Sequence, residues 1–133
     1  MKITICGSMK SAQKMIEIKK ELEKYEHEVI VPCNIDKYAD GTIDIENKLE
    51  KIELNLFKNY FKEIENTNAI LVVNEDKNNI RNYIGGNSLI EMAFAHVLDK
   101  KIFLLNPIPD ISYSDEIEAM QPIIINGNLK LIK

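Results

Sequence analysis

The chain has 133 residues, enough for one domain (1–133) that buries about two-thirds of the surface its unfolded form would expose. Apolar residues make up 45% and charged residues 29%, a balance that excludes a disordered tail. The net charge of −4, with acids and lysines interleaved, disfavours a nucleic-acid polymer as partner, and no run reaches the roughly 18 apolar residues a membrane helix needs.

Lys2–Cys6 reads as a short strand stopped by Gly7-Ser8, and not as a secretion signal, so the expected location is the cytoplasm. From Ser11 to Glu26, apolar residues recur at three- and four-residue spacing, as on an amphipathic helix. Glu28–Val31 is a second strand, closed by Pro32. Cys33–Gly41 is polar and reads as a loop, and Thr42–Asn66 carries a long helical pattern with a possible break near Leu54–Leu56. Ala69–Val73 is continuously apolar, as a strand covered on both faces should be. Polar Asn74–Gly86 precedes a helix over Asn87–Leu98, then a strand over Ile102–Leu105. A short helix at Ser114–Met120 and a strand at Ile123–Ile125 complete the order βαβαβαβαβ.

Strands alternating with helices predict an α/β fold: a flavodoxin-like (Rossmann-like) five-stranded parallel sheet, order 2-1-3-4-5, with helices on both faces. Ligands of such sheets bind at the carboxyl ends of the strands, beside the point where strand order reverses. The loops after strands one to four are therefore the expected site.

Gly7-Ser8 allows a ligand close to the backbone and an anion near the next helix, or it makes a tight turn in which Ser8 or Ser11 caps that helix. It is neither a dinucleotide fingerprint nor a phosphate-binding P-loop. Lys10 is a phosphate partner or a surface lysine. Cys6 and Cys33 lack metal-ligand spacing and read as reduced thiols, so no metal is expected. His27 and His96 fit no catalytic arrangement. Glu91 is the only charge in Gly-Gly-Asn-Ser-Leu-Ile-Glu91-Met-Ala-Phe-Ala. A lone carboxylate there is a candidate nucleophile, kept ionised by the helix dipole. Ser88-Leu89-Ile90-Glu91 also spells a capping box, in which Glu91 would only reach back to the Ser88 N–H.

Cys6-Gly7-Ser8, the glycine–glutamate helix around Glu91 and Glu118-Ala119-Met120 resemble, in matching order, the nucleoside 2-deoxyribosyltransferase superfamily, which includes 2′-deoxynucleoside 5′-phosphate N-hydrolases. The resemblance implies cleavage or transfer at the N-glycosidic bond of a (deoxy)nucleoside or nucleotide, a small-molecule substrate. Glu91 would attack the anomeric carbon and form a glycosyl-enzyme intermediate. It implies that Ser8 and Lys10 contact a phosphate, that Met9 walls the base pocket, that Gly7 and Gly86 shape the sugar or phosphate pocket, and that Asn87 binds sugar hydroxyls. Met120 matches a residue that enters a neighbouring subunit's site, which implies at least a homodimer. No cofactor is required.

The sequence departs from the family at three places. Gly85 stands where a phosphate-binding serine or a sugar-binding aspartate is expected, leaving only its N–H. Glu118 replaces a serine or asparagine, and an acid there would repel a substrate phosphate. The aspartate expected on the helix before strand three is replaced at about Tyr60 or Asn59. Tyr60 is then an auxiliary hydrogen-bond donor, and Asp36, Asp40 or Asp76 are loop acids that could supply the second carboxyl. Asn74–Tyr83 is a candidate lid. The alternative from another class is a non-catalytic nucleotide-binding module of the same fold; hydrolysis of a related glycosidic bond, as in a dinucleotide, is permitted by the fold without a specific motif.

Overall fold

The computed structural model describes residues 1–42 and 55–133. Five parallel strands, β1 (Lys2–Gly7), β2 (Glu28–Ile30), β3 (Ala69–Val73), β4 (Lys101–Leu104) and β5 (Ile123–Ile124), pair in the order β2-β1-β3-β4-β5, as expected from the sequence. The helices are α1 (Ala12–Lys24), α2 (Ile35–Ala39), α3 (Leu56–Glu65), α4 (Gly86–Val97) and α5 (Ser114–Ala119).

Strand periodicity divides the core into two layers. Ile3, Ile5, Leu71, Val73 and Phe103 face α1, where Ala12, Met15, Ile18 and Leu22 meet them. Cys6, Ile70, Val72, Ile102 and Leu104 face Ile64 of α3, Met92 and Ala95 of α4 and Ile117 of α5. β3 is buried at every position because it lies at the centre of both layers, which is why its sequence does not alternate.

Two elements differ from the sequence expectation. The segment expected as a loop over Cys33–Gly41 contains α2: its polar composition hides the turn, but Ile35 is buried and Tyr38 and Ala39 pack on the α1 layer. At the other end, a 3-10 turn over Leu129–Leu131 plugs Leu129 and Ile132 into that same layer. The first part of the long Thr42–Asn66 pattern, 43–54, lies outside the described residues, and its described part is α3.

The carboxyl edge of the sheet is braced by Asn74, which is fully buried directly after β3. Its Nδ2 donates to the carbonyls of Asn106 at 3.0 Å and Pro107 at 3.1 Å, and its Oδ1 accepts the Asn106 N–H at 2.9 Å. The loops after β3 and β4 are thereby locked together, and buried polar groups at the strand ends are satisfied.

Candidate active site

β1 ends on Gly7, where the chain passes too close to β3 for any side chain. A Cβ there would stand 2.9 Å from the Val73 carbonyl oxygen and 2.6 Å from Met15 Cε, and the strand backbone has no room to retreat. The next residue, Ser8, opens a 3-10 turn over Met9–Ser11 and accepts the Lys10 N–H at Oγ, 3.2 Å away. The same Oγ accepts a hydrogen bond from Lys77 Nζ at 3.0 Å.

Lys77 arrives on the loop after β3, Asn74–Gly85. This segment is a hydrogen-bonded strap: Lys77 and Ile80 exchange backbone bonds of 3.1 and 2.9 Å around Asn78 and Asn79, both at positive φ. Asp76 Oδ1 accepts the Asn82 N–H at 2.9 Å, and the Tyr83 N–H donates to the Glu75 carbonyl at 3.1 Å. Asparagine tolerates the left-handed conformation, so the asparagine-rich composition of the loop is what allows the tight turn.

Two cavities open at this edge. The larger, about 630 Å³, is walled by Gly7, Ser8 and Met9 after β1, by Asn59, Tyr60 and Glu63 of α3, and by Gly85, Gly86, Asn87, Ser88 and Glu91 at the start of α4. Val31 to Cys33 and Tyr38 close it from the β2 side. The smaller, about 420 Å³, is lined by Ser8, Lys10, Ser11, Glu75, Asp76, Lys77 and Tyr83 among others. Ser8, Lys77 and Tyr83 line both.

The structure therefore brings Gly7, Ser8, Met9, Tyr60, Gly85, Gly86, Asn87 and Glu91 around one space. Lys10 lines only the smaller cavity. Met120 lines neither and packs, partly buried, on the α3–α4–α5 layer of its own chain. Of the loop acids, Asp76 faces the smaller cavity, while Asp36 and Asp40 line neither. Arg81, His96 and Glu118 also lie away from both.

The capping-box reading of Glu91 does not survive the structure. The N-cap of α4 is Gly85, extended at ψ 179°, so Ser88 is the third residue inside the helix and is itself buried. Glu91 then lies in the second turn, half-buried, with its side chain lining the cavity. Burial pushes its pKa up from 4.5 to about 8. The helix dipole does not hold it ionised, because that field is felt mainly within the first turn. At neutral pH Glu91 is therefore mostly protonated.

Glu91 has two titratable neighbours beneath it. The Cys6 thiol is fully buried, and its pKa is raised first by burial and then by the Glu91 charge. The Tyr60 phenol is raised by burial, with Cys6, Glu91 and Glu63 adding to the effect, and its hydroxyl donates to the Ile5 carbonyl. With that proton held by the backbone, Tyr60 is a poor proton shuttle. Glu63, missed in the sequence, is the carboxyl that lines the Glu91 cavity instead. Its position three residues after Tyr60 puts both on one face of α3, which was the available signal.

Among the described residues, no group of three or more His, Cys, Asp or Glu is placed to hold a metal ion, and no helix is long and apolar enough to cross a membrane. Comparison with known protein families, with curated proteins and with solved structures finds no significant match.

Proposed function

We propose that this protein cleaves or transfers the N-glycosidic bond of a nucleoside or nucleotide, with Glu91 as nucleophile. The observation that carries the reading is that Glu91 of α4 and Glu63 of α3 wall one cavity at the carboxyl edge of a 2-1-3-4-5 sheet. Retaining glycosidic chemistry uses two carboxyls, one attacking and one moving protons. Ionised Glu91 attacks C1′ and the glycosidic bond breaks. The electron pair leaves with the base, which takes a proton from solvent water. Water or a second base then attacks C1′, its proton passes to Glu63, and Glu91 departs as carboxylate.

The raised pKa of Glu91 sets a condition on this chemistry. With a value of about 8, roughly a tenth of the free protein carries the ionised nucleophile at pH 7. Base release by free enzyme is expected to rise with pH until about pH 8. The assay that tests the reading follows free base by chromatography from ribo- and deoxyribonucleosides and their 5′-monophosphates, with Glu91→Gln as control.

The neutral Glu91 also favours a second reading, a nucleotide-binding module, since a protonated carboxyl donates a hydrogen bond and does not attack. Tight binding with no base release from any substrate supports that module. In either case we propose a homodimer. α4 leaves Ile90, Ala93 and Val97 exposed at helical spacing, with Val97 73% and Ile90 41% accessible, a stripe suited to a second copy.

A further inference from the structure

The smaller cavity carries groups that the glycosidic reaction does not use. Ser11, the N-cap of the 13-residue α1, is only 5% exposed, makes no side-chain capping bond and lines this cavity. Its hydroxyl has no hydrogen-bond partner among the described residues. That hydroxyl opens onto the cavity, where its partner must lie. It sits at the amino end of a long helix, where backbone N–H groups and the dipole favour an anion. Lys10 lines the same space, and Lys77 Nζ, bonded to Ser8 Oγ at 3.0 Å, stands at the wall shared with the larger cavity.

Glu75 and Asp76 also line the smaller cavity, and carboxylates repel phosphate. A bare terminal phosphate would leave them unmatched. They are acceptors, and the complementary groups are the hydroxyls of a sugar.

We infer that the ligand has two parts: a nucleoside in the Glu91 cavity, joined through a 5′-diphosphate at the Ser8–Lys77 wall to a second sugar in the smaller cavity. The inference rests on the reading of the larger cavity as a nucleoside site. Ser8, Ser11, Lys10 and Lys77 hold the phosphates, and Glu75 and Asp76 accept from the sugar hydroxyls.

Isothermal titration calorimetry on the intact chain tests this with ligands matched in base: AMP, ADP and ADP-ribose, and UMP, UDP and UDP-glucose. The expected result, in at least one series, is a gain of tenfold or more from monophosphate to diphosphate sugar, part of it between the bare diphosphate and the diphosphate sugar. The first part of that gain shrinks severalfold in Ser11→Ala, and the second in Glu75→Gln. Equal affinity for monophosphate and diphosphate sugar in both series, gains that neither variant reduces, or no binding by any ligand would overturn the inference. Base release from simple nucleosides without any diphosphate-sugar gain overturns it and leaves the glycosidic reaction standing. The gain without base release does the reverse.

Discussion

The Tyr60 hydroxyl of α3 donates its proton to the Ile5 carbonyl of β1, which ties the helix carrying Glu63 to the strand that ends in Gly7. The bond fixes the distance between the α3 wall and the sheet edge, and so the width of the larger cavity. It also takes the phenol out of proton transfer.

Tyr60→Phe removes that bond and leaves its packing in place. The expected loss is about 1–2 kcal/mol, the cost of a partly buried carbonyl deprived of a donor. Urea unfolding should show a lower midpoint with an unchanged slope. An unchanged midpoint would mean that the bond does not brace α3 against β1.

Glu91 links folding stability to pH. Its pKa is about 8 folded against 4.5 as an ordinary glutamate, so above pH 4.5 the unfolded chain loses a proton that the folded chain retains. Stability from this group is therefore complete at acid pH and falls as pH rises through 4.5 to about 8, beyond which the folded carboxyl ionises too. Glu91→Gln, neutral at every pH, is expected to match the parent below about pH 4.5 and to exceed it by about 2–4 kcal/mol above pH 8. Thermal unfolding across that range checks the prediction. A constant difference at all pH values would show that Glu91 is not desolvated.

The exposed stripe on α4 predicts self-association. Val97→Lys, at a position 73% accessible, should leave the fold intact and shift sedimentation toward monomer. A concentration-independent monomer in the parent protein would rule out the dimer.

The sheet was legible in the sequence because its strands are apolar and its long helices periodic, and Ala69–Val73 marked the doubly covered centre. α2 was not legible: five residues carry too little periodicity, and only Ile35 of α2 is fully buried. In the site, Gly7 and Glu91 stood out because glycine at a strand end and a solitary carboxyl in an apolar helix each demand a reason. The reason for Glu91 was still ambiguous, since Ser-x-x-Glu fits a cap equally well, and only the placement of the N-cap at Gly85 separated the two. Glu63 was hidden among the many charges of α3, where a carboxylate facing a cavity has the same sequence signature as one facing water. Lys77 and Ser8 are 69 residues apart, and their meeting depends on the left-handed turn at Asn78-Asn79.

Base release decides the central claim most directly. Purified protein and Glu91→Gln, incubated at pH 8 with ribo- and deoxyribonucleosides and their 5′-monophosphates, are followed for free base. The account predicts release by the parent and a loss of at least a thousandfold in the variant, as expected when a covalent nucleophile is removed. Release that persists in Glu91→Gln, or silence across the whole panel, would contradict it.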